Sequence, residues 1–298
     1  MRERNLLKRY GEGSWAMITE ASHGLGWNLS KKLARRGFKL ILIDKSGERL
    51  SEKITLLEEM LTKTSNPPFN YDKNELRFMG IQADFALGDN PNFYDQIMTK
   101  ISQMQICPKD ISLLVLSPKS LNLSAPIPSI TKSIGFVKDH IFPATMLTKK
   151  LLPGFHARLT ENGLTSGIIM ISSIAGLMPI KELGLYSAVQ SYLNYFSEGY
   201  NLGYHGKFDI LTVTPPLVVK GSGVEADGNT VTECGDGIVR ALGNLDRTYG
   251  CRKHVLFGGC VDLLMALGLT CVVQWFMGGM EAGASEGPRV SDDDRQKM

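Results

Sequence analysis

Short apolar runs alternate with longer amphipathic stretches through the first two thirds of the chain. The short runs suit buried strands, and the longer stretches carry apolar residues three and four positions apart, as on one face of a helix. This alternation predicts an α/β fold with a doubly wound parallel sheet and helices on both faces. Strands are predicted at 15–19, 39–43, 76–83, 112–116, 167–171 and 209–214. Helices are predicted near 24–37, 47–63, 90–103, 129–152, 185–204 and 231–244.

The two ends of the chain depart from this pattern. Residues 1–13 have no long apolar run, so they predict an ordinary N-terminal arm, with an organellar presequence as the weaker alternative. Residues 255–280 are mostly apolar and carry Asp262 as their only charge, which indicates either a buried helix or subunit interface, slightly favoured, or a membrane contact. The predicted organisation is an arm at 1–13, a domain at 14–252, a hydrophobic C-terminal segment at 253–280 and a disordered tail at 281–298.

Composition narrows the classes of protein. With 298 residues, 43% of them hydrophobic and 21% charged, the chain can bury a large core, which excludes a disordered or fibrous protein. The net charge of +3 gives no basic surface for nucleic acid. The five cysteines form no C-x-x-C pair and no zinc-ligand spacing, so neither a disulfide framework nor a metal site is predicted. A reducing, intracellular compartment fits best.

A glycine-rich turn follows the first predicted strand and opens directly into a helix. Its sequence is Thr19-Glu20-Ala21-Ser22-His23-Gly24-Leu25-Gly26. Such a turn lets backbone N–H groups approach a pyrophosphate at the positive end of the helix. Glu20 opposes this role, because it adds a side chain to a tight turn and a negative charge beside the phosphates. Gly24 and Gly26 therefore serve either a cofactor or helix–strand packing alone.

A second motif follows the fifth predicted strand. It comprises residues 169–176, which include Ser172-Ser173, and then Tyr186-Ser187-Ala188-Val189-Gln190. With these two motifs, almost the whole chain resembles the short-chain dehydrogenase/reductase family, whose fingerprint is T-G-x-x-x-G-x-G and whose fold is a Rossmann-type sheet. Within the family it is most similar to the 17β-hydroxysteroid dehydrogenase and very-long-chain 3-oxoacyl-CoA reductase group. That likeness rests on residues 83–86, 94–97, 152–154, 249–254 and the segment 255–280.

The resemblance implies roles for the catalytic positions. Ser173 corresponds to the serine that hydrogen-bonds the substrate carbonyl, and Tyr186 to the tyrosine that donates a proton. The family's lysine, which lowers the pKa of that tyrosine and holds the nicotinamide ribose, is replaced by Gln190. The family's helix asparagine falls on His140, for which a core histidine is favoured and a proton relay is the alternative. Lys181 does not occupy the helical neighbour position of Tyr186 and is not expected to replace the lysine.

The resemblance also implies cofactor contacts. Glu20 replaces the first glycine of the fingerprint. Asp44 and Lys45 fall where the family distinguishes NAD from NADP, and their opposite charges leave that choice open. Asp84 matches an aspartate on the adenine side, with a turn cap as the alternative. The family's N-N-x-G turn aligns with residues 116–119, which lack its asparagines and glycine. The candidate cofactor-binding residues are Thr19, Ser22, Gly24, Gly26, Asp44, Lys45 and Asp84.

Four departures from the family pattern oppose hydride transfer: Glu20, the lost asparagine turn, His140 and Gln190. They favour a catalytically impaired protein that binds NADP or NAD weakly or not at all. Such a protein would act as a structural or interaction subunit of a membrane-associated assembly, in the mitochondrion or the endoplasmic reticulum. The alternative is an active NAD(P)(H)-dependent reductase of a steroid or a 3-oxoacyl-CoA. The family pairs subunits through the helices at 129–152 and 185–204, which allows a homodimer, and 255–280 allows membrane contact.

Overall fold

A computed structural model describes residues 6–63, 75–117, 130–177, 183–204 and 206–214, together with the backbone of 254–256. The chain divides into two compact units, 1–256 and 257–298, and every described residue lies in the first. Its strands are β1 Trp15–Thr19, β2 Lys39–Asp44, β3 Phe78–Gln82, β4 Ile111–Leu116, β5 Gly167–Ile171, β6 Asp209–Thr214 and β7 His254–Leu256. Its helices are α1 Leu6–Tyr10, α2 Gly24–Arg35, α3 Gly47–Thr62, α4 Pro91–Gln103, α5 Ile130–Asn162 and α6 Gly184–Gly203.

The strands form one parallel sheet in the order β3-β2-β1-β4-β5-β6-β7. Strand order reverses between β1 and β4, and ligands of such sheets bind outside the carboxyl ends of the strands at this point. Register brings Thr19 of β1 beside Ile43 of β2, and Ile18 beside Val115 of β4. The loops that follow these three strands therefore meet at one edge of the sheet.

The core confirms the α/β sheet predicted from the sequence. Every residue of β1, β4 and β5 is buried, as expected for central strands covered on both faces. On one face the sheet packs against α4, α5 and α6, whose contributions to the core include Tyr94, Leu147, Phe155 and Leu193. All six predicted strands are present within two residues of the predicted bounds.

Helix α5 is longer than predicted. The sequence predicts an end near residue 152, because proline and glycine at 153–154 usually stop a helix. The helix instead continues through Pro153 to Asn162. Gly154 is needed for packing rather than for termination, because a Cβ there would lie 2.5 Å from the backbone carbon of Pro108.

The N-terminal arm predicted at 1–13 contains a short helix. Leu6, Leu7 and Tyr10 of α1 are buried. Hydrogen bonds to Asp209 hold this helix against the first residue of β6. Arg9 donates from Nε and Nη2 to the Asp209 carboxylate at 2.5 and 2.7 Å, and Tyr10 Oη donates to it at 2.7 Å. The sequence patterns miss this contact because its partners lie about 200 residues apart.

The C-terminal boundary also differs from the prediction. Residues 254–256, assigned to the hydrophobic C-terminal segment, form β7 and pair with β6 in the register Thr212↔His254. The predicted helix at 231–244, the remainder of 255–280, the tail at 281–298, Lys181, and residues 118 and 119 of the altered asparagine turn lie outside the described residues.

Candidate active site

The glycine-rich turn joins β1 to α2 at the switch point of the sheet. Glu20 adopts the left-handed region of backbone conformation, with φ +49°, where glycine is the ordinary residue. Gly26 must be glycine, because a Cβ there would lie 2.4 Å from the Glu20 carbonyl oxygen. The turn therefore retains the geometry of a phosphate-binding loop, while Glu20 occupies its first glycine position. The backbone of Glu20 is strained by about 1–2 kcal/mol.

Glu20 also faces two other charged or titratable groups. His23 Nε2 lies 3.8 Å from Glu20 Oε2, and His23 Nδ1 lies 3.6 Å from Asp44 Oδ2. The Asp44 carboxylate raises the pKa of the His23 imidazole above its usual value. Burial raises the pKa of Asp44, but hydrogen bonding from His23 and the Ser22 N–H outweighs it, so this pKa lies well below its ordinary range. Asp44 is therefore ionised at neutral pH.

The predicted ribose-binding aspartate is already engaged. Asp44 Oδ2 accepts from the Ser22 N–H at 3.0 Å, and Oδ1 accepts from the Ser46 N–H at 3.4 Å. Lys45 pairs with Asp84 at 2.6 Å, and Asp84 also caps a short 3-10 helix by accepting from the Ala86 N–H. Asp44 is thus bound by backbone N–H groups, and Lys45 and Asp84 bind each other.

Thr19 connects the first and fourth strands at this edge. Its hydroxyl donates to the Ser117 carbonyl at 3.1 Å and accepts from the Ser117 N–H at 3.0 Å. Ser117 is the described part of the altered asparagine turn. A Thr19–Ser117 contact of this kind fixes the spacing of β1 and β4, whether or not a cofactor binds.

Ser173 and Tyr186 meet at the carboxyl end of β5. Ser173 is buried just after the strand, where its Oγ accepts from the Ala175 N–H at 3.3 Å, and Tyr186 lies in the first turn of α6. Burial raises the pKa of the Tyr186 phenol, and Ser173 offsets only part of this effect. The predicted serine–tyrosine pair is thus assembled, with a tyrosine that ionises less readily than free tyrosine.

Gln190 lies one turn after Tyr186 on α6 and is fully buried. Neither its Oε1 nor its Nε2 has a hydrogen-bond partner among the described residues. Its backbone carbonyl accepts from Ser172 Oγ at 3.1 Å, which ties α6 to the end of β5. The position at which the resemblance implies a cation therefore holds a neutral, desolvated amide with no compensating hydrogen bond from the described part of the chain.

His140 is buried within α5. Its Nδ1 lies 2.8 Å from the Phe136 carbonyl oxygen, one helical turn earlier. The centroids of the His140 and Phe136 rings lie 4.2 Å apart. The centroid of the Phe136 ring in turn lies 6.1 Å from that of the Tyr186 ring. His140 thus packs against Phe136, which also lies beside Tyr186, and its role as a core residue or a proton relay stays a prediction.

A small cavity separates the glycine-rich turn from α5. Its volume is about 10 Å³, close to the space that one water molecule needs. It is lined at one side by Thr19, Glu20 and Ser117, and at the other by Asp139 and His140. Residues 118–129 and 178–182, which border this edge in sequence, lie outside the described part of the chain.

Two features of the site have no counterpart among the predicted residues. Asn194, one turn beyond Gln190 on the same face of α6, is buried with both amide atoms unpartnered among the described residues. The spacing of four residues in a predicted helix is the signal that could have identified it. The cluster of Glu20, His23 and Asp44 was also missed, because it depends on the adjacency of β1 and β2 rather than on sequence spacing.

Comparisons with known proteins agree with this architecture. No family model matches the chain. The chain is 28% identical over 269 residues to the very-long-chain 3-oxoacyl-CoA reductase of Anas platyrhynchos, covering 85% of this chain and 77% of that protein. It is 27% identical over 263 residues to the 17-beta-hydroxysteroid dehydrogenase type 3 of Homo sapiens, covering 85% and 76%.

Solved structures share the fold. The L-sorbose reductase of Gluconobacter frateurii, complexed with NADPH and L-sorbose, matches with a TM-score of 0.64 and 18% identity, covering 83% of this chain and 96% of that one. The short-chain dehydrogenase of Sphingobium yanoikuyae, in complex with NADPH, matches with a TM-score of 0.62 and 18% identity, covering 94% and 99%. Within the described residues, no helix has both the length and the apolar character needed to cross a membrane.

Proposed function

Because the chain belongs to the short-chain dehydrogenase/reductase family, we propose that it is a catalytically impaired member of that family. In this proposal it acts as an interaction subunit of a membrane-associated assembly in the mitochondrion or the endoplasmic reticulum. The alternative, a working oxidoreductase, has the same fold, and fold alone does not determine activity. The proposal therefore rests on the side chains of the candidate active site.

The observation that carries the proposal is Gln190 beside Tyr186. A tyrosine serves as a proton donor and acceptor near neutral pH only when its pKa falls toward that pH, which a neighbouring cation achieves. Here the pKa of Tyr186 is raised by burial, and the buried Gln190 amide supplies no charge. The pair of Ser173 and Tyr186 keeps its geometry but lacks the electrostatic tuning on which proton transfer depends.

The residues at the glycine-rich turn fit a dinucleotide poorly. In this proposal a pyrophosphate at the turn would lie close to the Glu20 carboxylate, and two unit charges about 4 Å apart repel by about 4 kcal/mol near a protein surface. A neutral hydrogen bond from the turn contributes only about 1 kcal/mol. Weak or absent binding of NADP and NAD is therefore part of the proposal.

An interaction role is supported by the surface of α6. Leu185, Tyr195 and Leu202 are 38%, 75% and 70% exposed. At 100° per residue they fall within about 100° of one another around the helix. Clustered exposed apolar side chains mark protein interfaces more often than ordinary surface. We propose that this face binds a protein subunit, either a second copy of the chain or another member of the assembly, while residues 257–280 contact the membrane.

A second candidate is an active NAD(P)(H)-dependent reductase of a steroid or a 3-oxoacyl-CoA. Two observations favour it: Ser173 lowers the pKa of the Tyr186 phenol, as a side chain close to it would, and the relatives have the named activities. In this alternative a nicotinamide cofactor supplies hydride chemistry, Ser173 positions the substrate carbonyl and Tyr186 supplies a proton to its oxygen. Gln190 would then have to hold the ribose by hydrogen bonds alone.

Titration with NADPH and NADH tests the proposal, using the fluorescence of the three tryptophans. The wild-type chain is expected to show no saturable change at micromolar cofactor. Glu20→Gly is expected to gain measurable binding, because it removes the carboxylate from the phosphate position.

Gln105→Gly is the matched control for that titration. Gln105 also has a left-handed backbone, with φ +59°, but lies in the loop after α4, away from the turn. It should gain stability from glycine as Glu20→Gly does, by up to about 1 kcal/mol, without gaining cofactor affinity. Micromolar binding by the wild-type chain would favour the active reductase.

A further inference from the structure

Three side chains with metal-binding atoms converge at the turn between β1 and α2. One ligand atom from each of Glu20, His23 and Asp44 lies within 4.8 Å of the other two. The His23 ring lies between the carboxylates, with Nε2 3.8 Å from Glu20 Oε2 and Nδ1 3.6 Å from Asp44 Oδ2, and one of these two nitrogens would be the ligand. We propose that these three residues bind a divalent transition-metal ion, zinc or manganese.

The donor set suits such an ion. One imidazole nitrogen and two carboxylate oxygens are ligands that zinc and manganese both accept, and coordination is completed by water. The side chains of Asp44 and Glu20 are only 3% and 14% exposed, whereas that of His23 is 40% exposed. The carboxylates thus form the shielded floor of the site, and His23 closes it from the solvent side.

The Asp44 carboxylate is held in place by backbone donors. The N–H groups of Ser22 and Ser46 donate to its two oxygens, and Ser22 Oγ lies 3.2 Å from His23 Nδ1. Hydrogen bonds of this kind orient the ligands of metal sites in proteins. Because they are already formed, binding an ion requires little reorganisation of Asp44.

Charge explains why this corner would favour a cation over a pyrophosphate. With His23 neutral, as a metal ligand must be, Glu20 and Asp44 contribute two negative charges that a divalent ion balances. The nearby Lys45 does not neutralise them fully, because it is paired with Asp84 at 2.6 Å. The Glu20 carboxylate also opposes a pyrophosphate, but the metal site does not depend on whether the protein is an enzyme.

The distances are compatible with an ion after a small contraction. Zinc binds nitrogen and oxygen at about 2.0–2.2 Å in tetrahedral geometry, so two ligand atoms lie about 3.5 Å apart. The ligand atoms of the cluster lie within 4.8 Å of one another. Rotation of the partly exposed His23 side chain, moving its ligand nitrogen by about 1 Å, would bring them to this spacing.

Cobalt(II) titration of the full-length chain tests the site, with equilibrium dialysis for stoichiometry and visible absorption for ligand type. One equivalent should bind with d–d bands and without thiolate charge-transfer absorption. His23→Ala and Glu20→Gln should each weaken binding about tenfold or more. His156→Ala on α5 and Glu161→Gln on an exposed ion pair are matched controls that should leave the affinity unchanged.

Circular dichroism of each variant separates lost ligands from lost folding. The proposal is overturned if the wild-type chain binds no cobalt at one equivalent, if folded His23→Ala binds it with unchanged affinity, or if thiolate absorption places the ion on cysteines. Neither of the first two results would bear on catalytic impairment, because the cofactor titration measures that separately.

Discussion

Position 190 is the residue on which the proposed impairment depends most. Tyr186 lies in the first turn of α6 close to the buried Ser173, and the side chain one turn later is a buried amide with no partner among the described residues. A lysine there would supply both a cation and ribose contacts, and Gln190 supplies at most the second. Glu20 has a comparable effect at the turn, where its left-handed backbone preserves the loop while its carboxylate opposes phosphate.

Ionisation of Tyr186 should be measurable as the difference in ultraviolet phenolate absorbance between the wild-type chain and Tyr186→Phe. Because burial raises the pKa of this phenol, its phenolate is expected only above about pH 10, the usual value. Gln190→Lys should lower that pKa by placing a cation beside the phenol.

Gln190→Met is the control for this titration, because it is similar in size and carries no charge. It should leave the pKa of Tyr186 above the usual value. Ionisation of Tyr186 at or below pH 10 in the wild-type chain would show that another group already tunes the phenol, and the argument from Gln190 would fail.

At the scale of elements, the strands and most helices follow from apolar periodicity. All six predicted strands are present, because central parallel strands read as continuous apolar runs. The extension of α5 through Pro153 was not predictable, since it depends on close packing of Gly154 against Pro108, which is distant in sequence. Helix α1 and strand β7 were missed for the same reason: each is short and stabilised by partners that no local pattern reveals.

The sequence also identifies part of the candidate site. Ser173, Tyr186 and Gln190 follow from the resemblance, because one strand and one helix position all three. The engagement of Asp44 by Ser22 and of Lys45 by Asp84 could not be predicted, since it depends on how three separate loops meet.

Helix α1 provides a prediction at this scale. Asp209→Asn should weaken the contacts from Arg9 and leave the buried Tyr10 hydroxyl with a poorer partner, lowering the free energy of unfolding by about 1–3 kcal/mol. Hydrogen exchange of residues 6–10 should accelerate as the helix detaches. Glu161→Gln, which breaks the exposed pair with Lys109, should leave stability almost unchanged. Equal effects of the two variants would show that α1 does not depend on Asp209.

For the whole molecule, the boundary at residue 256 separates the sheet from the rest of the hydrophobic segment. A chain ending at Leu256 keeps all seven strands, so it should remain folded, with a cooperative thermal transition. We expect it to be released from membranes or from its complex, because it lacks residues 257–280. Circular dichroism and membrane flotation measure the two outcomes. Loss of cooperative folding would show that residues beyond 256 belong to the core.

The central claim is that hydride transfer is impaired, and the most direct test is turnover by the full-length chain. NADPH oxidation is followed with a long-chain 3-oxoacyl-CoA and with a 17-ketosteroid. No turnover is expected from the wild-type chain or from Gln190→Lys alone, because cofactor must bind before an acid can act. The double variant Glu20→Gly with Gln190→Lys is the smallest change from which measurable turnover is expected. Reduction of either substrate by the wild-type chain at ordinary enzymatic rates would contradict the account and identify the protein as an active reductase that uses Tyr186 and Ser173.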